Sequence, residues 1–136
     1  MSKSVIICLV DDDDVYKFTF TKKLKGTNIP KKILMFSDGE EALDFMLDNL
    51  SNNAALPDVI FLDINMPVMD GWEFLEEFVE IRPKVGKEIT IYLVSSSIDP
   101  VDFERAKKIS EVSDYLIKPV SEDQIQDIIE RMNLDK

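Results

Sequence analysis

The sequence contains no histidine. That absence removes Ser-His-Asp and Cys-His catalysis, His-ligated zinc and any role as a phosphohistidine carrier. Cysteine occurs once, at Cys8, which excludes an internal disulfide; within its apolar run it reads as buried filler. No stretch approaches the roughly 18 apolar residues of a membrane span. The opening Met1-Ser2-Lys3-Ser4 leads into a short apolar run without a signal-peptide cleavage pattern. A cytoplasmic protein with no membrane association is therefore expected. Positive charge is also scarce: 16 Lys and Arg stand against 27 Asp and Glu, a net charge of −11. Binding phosphate backbones rests largely on Lys and Arg, so no nucleic-acid partner is expected. A divalent cation or a protein surface fits better. The chemistry that remains must use carboxylates, hydroxyls, lysine and backbone.

What is present is a regular alternation. The 136 residues suit one domain, 1–136, with no output domain expected. Val5-Ile6-Ile7-Cys8-Leu9-Val10 reads as a strand buried on both faces, followed by a helix from about Asp14 to Lys25 with a ragged stripe of Val15, Phe18 and Leu24. Lys32 to Phe36 is a second strand. Ser37-Asp38-Gly39-Glu40 has the pattern of a capping box before a helix whose inner face is Leu43, Met46, Leu47 and Leu50. After a polar loop at Ser51–Pro57, Val59 to Leu62 forms a third strand, and Asp70-Gly71 opens a helix with Trp72, Leu75, Phe78 and Val79 inward. Ile89 to Val94 is the fourth strand; Asp99-Pro100 supplies an N-cap and a first helical residue. Tyr115-Leu116-Ile117 is the fifth strand, and Ser121-Glu122-Asp123-Gln124 is another capping box, before a helix burying Ile125, Ile128, Ile129 and Met132. Near-continuous apolar strands alternating with helices imply an α/β protein with a doubly wound, five-stranded parallel sheet.

Polar groups stand at the ends of four strands: Asp11 and Asp12, then Asp63, Ser95 and Lys118. In an open parallel sheet these positions share one edge, where ligands bind at the topological switch point. The second strand ends in Phe36-Ser37 and adds no such group, which suits an outer strand in the order 2-1-3-4-5. Three clustered carboxylates repel one another, by roughly 4 kcal/mol for two unit charges 4 Å apart at an effective dielectric of 20. They must take up protons or bind a cation. An oxygen-only donor set favours Mg²⁺. Lys118 can pair with Asp63 and then with a phosphoryl oxygen, and Ser95 offers a hydroxyl. The inventory is that of phosphoryl transfer onto a carboxylate. Four consecutive aspartates, 11 to 14, allow more than one register for the metal pair. Burial of the strand through Val10 favours Asp11 and Asp12, with Asp13 in the loop and Asp14 starting the helix.

Four blocks carry a resemblance: Leu9-Val10-Asp11-Asp12-Asp13, Asp63-Ile64-Asn65-Met66-Pro67 running to Met69-Asp70-Gly71, Val94-Ser95-Ser96-Ser97, and Tyr115-Leu116-Ile117-Lys118-Pro119. The chain resembles the receiver domains of two-component response regulators, of the single-domain, chemotaxis-receiver kind, from about residue 4 to 133. The resemblance implies a flavodoxin-like (βα)5 fold and a role for each matched residue. Asp63 would be the phosphoacceptor, Asp12 the direct Mg²⁺ ligand and Asp11 its neighbour acting through water, with the backbone carbonyl of Asn65 also on the metal. Ser95, Ser96 and Lys118 would bind the phosphoryl group. Ser95 and Tyr115 would form the switch, and the Lys118–Pro119 bond would be cis. It further implies a sensor histidine kinase as donor and a downstream protein or a histidine phosphotransfer protein as recipient, in a monomer or weak dimer.

Two rivals remain open at this point. A Mg²⁺-dependent aspartyl phosphohydrolase would typically carry an acid/base Asp two residues after the nucleophile, where this chain has Asn65. A degenerate receiver that only binds partners would not need the complete set Asp11, Asp12, Asp63, Ser95 and Lys118.

Overall fold

The structure, a computed structural model, describes residues 4–29 and 31–134. Five strands, β1 (Val5–Val10), β2 (Lys31–Phe36), β3 (Val59–Asp63), β4 (Thr90–Ser95) and β5 (Val112–Ile117), form one parallel sheet in the order β2-β1-β3-β4-β5. Helices α1 (Asp14–Lys25), α2 (Gly39–Asp48), α3 (Gly71–Ile81), α4 (Pro100–Lys107) and α5 (Glu122–Leu134) alternate with them, and a short 3₁₀ turn, Arg82–Lys84, follows α3. The expected architecture and strand order are thus found.

The apolar runs explain the layering. Side chains alternate across a strand, so Val5, Ile7 and Leu9 of β1 join Val59, Phe61, Tyr92 and Val94 on one face, against Phe20 and Leu24 of α1 and Ile125, Ile128 and Ile129 of α5. Cys8 and Val10 point the other way, with Ile60, Leu62, Ile91 and Leu93, against Ala42 and Met46 of α2 and Phe74, Leu75 and Phe78 of α3. Each of the Val, Leu, Ile, Met and Phe side chains contributes roughly 1.5–3 kcal/mol on leaving water. Burial pushes the Cys8 thiol pKa up, consistent with its place in the core.

Four local expectations change. The α1 stripe is not Val15, Phe18 and Leu24: Val15 and Phe18 are exposed, while Phe20 and Leu24 are buried with Lys17. The Lys17 stem covers apolar surface while its ammonium bonds Ser37 Oγ at 3.1 Å and pairs with Asp14 at 3.4 Å. The α2 cap lies one residue later than expected; Asp38, not Ser37, accepts from Glu41 N at 2.9 Å, and Glu41 reaches back to Ser37 N. Leu47 and Val79 are exposed rather than inward. Finally, β5 begins at Val112, not Tyr115, because an outer strand accommodates the polar Ser113 and Asp114; its pairing with β4 is irregular at Ile91/Tyr92. The box at Ser121 and Gln124 forms as expected, and α3 carries another between Asp70 and Glu73.

The loop from β3 to α3 contains one backbone strain. Val68 has φ 66° and a side chain 72% exposed. A β-branched residue in the left-handed region pays for its Cβ, and this one recovers little by packing. Val68→Gly is expected to stabilise the protein by about 1 kcal/mol. Urea denaturation measures it, and a midpoint at or below that of the parent contradicts it.

Candidate functional site

The carboxyl edge of the sheet gathers the residues that the strand ends predict. β1 hands over to Asp11, which is buried, then to Asp12, which is exposed. Asp13 caps α1, accepting from Tyr16 N at 3.0 Å, and Asp14 is its first residue, so the first two of the four aspartates are the ones at the crevice. Asp63 closes β3 and is buried. Carboxylate oxygens of Asp11, Asp12 and Asp63 lie within 4.8 Å of one another. These residues fit a hard divalent cation: an oxygen-only donor set on two adjacent strands, with one member open to solvent.

Lys118, at the end of β5, reaches into this cluster. Its Nζ lies 2.8 Å from Asp11 Oδ2 and 3.5 Å from Asp63 Oδ1, so its shorter contact is with Asp11 rather than the expected Asp63. The ammonium also sits 4.3 Å from the centroid of the Tyr16 ring. The Lys118–Pro119 peptide is cis, as expected. Burial and the neighbouring Asp11 push the Asp63 pKa up to about 6, against the opposing pull of Lys118 and of a hydrogen bond from the Ile64 backbone. Burial lowers the Lys118 pKa, but the hydrogen bond to Asp11 and the charges of both aspartates outweigh it and leave a net rise.

Gly71 fixes the approach of α3 to this cluster. A Cβ there would lie 2.5 Å from the Asp63 carbonyl oxygen and 3.0 Å from Ile64 Cα, both backbone atoms. Only glycine lets α3 start here, with Gly71 N donating to Ile64 O at 2.8 Å. Asn65 and Ser96 lie in the adjoining loops and are exposed.

Ser95 and Tyr115 are joined through a residue that sequence reasoning passed over. Ser95 is buried, its Oγ accepting from Ser97 N at 3.1 Å. The Ser97 carbonyl accepts from Tyr115 OH at 3.0 Å, and Ser97 Oγ donates to Asp102 Oδ2 of α4 at 2.8 Å. The Tyr115 ring packs on Phe103 with centroids 4.4 Å apart. Ser97 thus links the end of β4, β5 and α4. Tyr16 was missed as well; the spacing Tyr16, Phe20, Leu24 is the i, i+4, i+8 stripe that would have found it.

Fold and site together define a class, a flavodoxin-like α/β domain with an acidic, cation-competent pocket at its switch point. The family model of the response regulator receiver domain matches residues 7–130, and the chain belongs to that family, a signalling domain of two-component systems. Among similar structures is a two component response regulator from Cytophaga hutchinsonii, 26% identical with a TM-score of 0.86, covering 98% of this chain and 100% of that one. Another is the phosphorylated cyanobacterial phytochrome response regulator RcpA, at 28% identity and TM-score 0.78, covering 97% and 95%. Among curated proteins, the probable methanogenesis regulatory protein FilR2 of Methanothrix harundinacea is 27% identical over 93% of this chain and 80% of its own length. The sensor histidine kinase CheAY of Helicobacter pylori is 29% identical over 93% of this chain, which spans only 15% of that kinase. Among the described residues no helix is long and apolar enough to cross a membrane.

Proposed function

We propose that this receiver accepts a phosphoryl group on Asp63 from a sensor histidine kinase, with Mg²⁺ held by Asp11, Asp12, Asp63 and the Asn65 carbonyl. The observation that carries this is the meeting of three carboxylates within 4.8 Å with Lys118 Nζ, 2.8 Å from Asp11 and 3.5 Å from Asp63. A relative in this fold, RcpA, has been captured phosphorylated, and a similar segment forms part of the kinase CheAY.

In the transfer an Asp63 carboxylate oxygen forms a bond to phosphorus as the donor's phosphorus–nitrogen bond breaks, and the departing imidazole keeps the electron pair and takes a proton from solvent. A bound Mg²⁺ supplies charge neutralisation for the phosphoryl oxygens. Lys118 exchanges part of its contact with Asp11 for a phosphoryl oxygen. Ser95, whose Oγ accepts from Ser97 N, turns its hydroxyl proton toward another, with Ser96 beside it. Moving Ser95 disturbs Ser97, and through it the Tyr115 hydroxyl and α4. The face made by α4, β5 and α5 then favours a second state, which a downstream protein reads, by a difference of a few kcal/mol. Passing the phosphoryl on to a histidine phosphotransfer protein would use the same site. Asn65 offers no acid/base group for phosphoester turnover, so the domain catalyses only its own phosphorylation and dephosphorylation. Its composition suits the cytoplasm and a monomer or weak dimer.

Incubation with acetyl phosphate and Mg²⁺ followed by intact mass measurement is the test. One phosphate should be added, and Asp63→Asn or chelation of the metal should prevent it. A mass that does not change, or an addition that survives Asp63→Asn, overturns the assignment.

A further inference from the structure

We propose that Tyr16 is a positioning residue for Lys118, its ring face holding the ammonium against the Asp11–Asp63 pair. The inference rests on the phosphoacceptor reading above and adds to it a residue outside the strand-end set.

Three observations carry it. The Lys118 ammonium lies 4.3 Å from the Tyr16 ring centroid, well within the range of a cation–π contact. The ring is itself held in place: its centroid is 5.8 Å from that of Phe20, which is fully buried and packs in turn, tilted, against Phe61 at 4.9 Å. The ring thus forms a fixed wall at the start of α1. The third observation concerns the hydroxyl, which is buried and has no hydrogen-bond partner among the described residues. With no hydrogen bond made by the hydroxyl among the described residues, the contact with Lys118 is made by the face of the ring. Burial and the charges of Asp11 and Asp63 raise the Tyr16 pKa, so the phenol stays neutral beside the cluster.

Lysine needs such a wall. Its four-carbon stem carries a point charge that many rotamers can place elsewhere. Asp11 and Asp63 attract that charge, but the shorter contact is to Asp11. To serve a phosphoryl on Asp63 the ammonium must move within the pocket without leaving it. Attraction to an aromatic face is broad and weakly directional, so the ring keeps the ammonium through that shift, where a hydrogen-bond acceptor would fix it at one point.

The test compares Tyr16→Phe with Tyr16→Leu and Tyr16→Met, the last a flexible filler in case leucine packs poorly. Two readouts are taken: the ring-current displacement of the Lys118 methylene protons by NMR, and the rate of phosphorylation by acetyl phosphate at saturating Mg²⁺. Phenylalanine should keep the displacement and a rate within about twofold of the parent; leucine and methionine should lose the displacement and slow the rate by roughly tenfold. A leucine or methionine variant that is phosphorylated within about twofold of the parent rate overturns the proposal, whatever its proton shifts. So does a phenylalanine variant that slows as much as leucine, because the hydroxyl would then be the working part. If the parent itself takes no phosphoryl, the phosphoacceptor reading fails and the proton displacement alone decides whether Tyr16 positions Lys118.

Discussion

Asp63→Asn is expected to make the metal-free protein more stable, not less. The folded-state pKa of Asp63 stands near 6, against an unperturbed 3.8. About two pH units of difference correspond to roughly 3 kcal/mol of penalty for holding the ionised form in the fold at neutral pH. That figure is already net of the pull of Lys118 and Ile64; with imperfect mimicry of the neutral acid by the amide, a gain of about 2 kcal/mol is expected, several degrees in melting temperature. The sign fixes the pH dependence. Because the folded pKa is raised, the folded state binds more protons than the unfolded chain between pH 6 and about 4. The parent therefore gains stability from this group as pH falls through 6, and the advantage of the asparagine variant shrinks to nothing near pH 4. Saturating Mg²⁺ at pH 7 works in the other direction: it stabilises the parent in proportion to its binding and the variant far less. Thermal melts in chelator and in Mg²⁺, from pH 7 to 4.5, give both comparisons. An asparagine variant less stable than the parent at pH 7 in chelator, or an advantage that does not narrow with acid, contradicts the prediction.

This instability is what makes the site able to work. A cluster in which Asp11 and burial both oppose the charge on Asp63 gains most when a cation or a phosphoryl with its cation arrives. Lys118 does not neutralise the cluster, since one positive charge faces three carboxylates. The residual repulsion is available to drive binding.

The sequence made the strands and their ends legible because burial on both faces demands unbroken apolar runs, and each run stops where a side chain must meet solvent or ligand. Asp11, Asp12, Asp63, Ser95 and Lys118 follow from that rule alone, and the sheet brings them to one edge. What was hidden depends on geometry that no run records. On α1 the exposed Val15 and Phe18 mimic a core stripe, while the buried Lys17 looks like surface. Ser37 and Asp38 before α2 leave the cap ambiguous by one residue, and the bond from Glu41 N goes to Asp38. The preference of Lys118 for Asp11, the bridge through Ser97 and the wall made by Tyr16 are set by side-chain placement at distances of 2.8 to 4.3 Å, beneath the resolution of a pattern.

The same blindness hides the second large effect, at the opposite edge of the sheet. Asp58 precedes β3 and is buried; its Oδ2 accepts from Ile6 N at 2.8 Å, and its Oδ1 pairs with Lys87 Nζ at 2.9 Å. Lys87, which lies shortly before β4, also donates to the carbonyls of Leu56 at 2.8 Å and Asn53 at 3.3 Å. Asn53 in turn donates to Gly86 O, where a Cβ would lie 2.8 Å from its side-chain atoms. One ion pair thus ties the entry of β1 to the loops that feed β3 and β4. Removing a single partner leaves the other charge buried and costs about 3–5 kcal/mol, far more than the pair itself contributes. Asp58→Ala and Lys87→Met should each destabilise the protein by about 3 kcal/mol at neutral pH, the lower end because in the first Lys87 keeps its carbonyls and slight solvent access, and in the second Asp58 still accepts from Ile6 N. Asp58→Asn, which can still accept from Ile6 N, should cost clearly less than Asp58→Ala. Because the first substitution already forfeits the contact, Asp58→Ala with Lys87→Met should cost well below the sum of the two. Urea denaturation of the four variants measures this cycle, and additive losses would mean that the pair does not act as a unit. The phosphorylation rate of any variant still folded should match the parent, since this clamp and the acidic pocket lie at opposite ends of the strands.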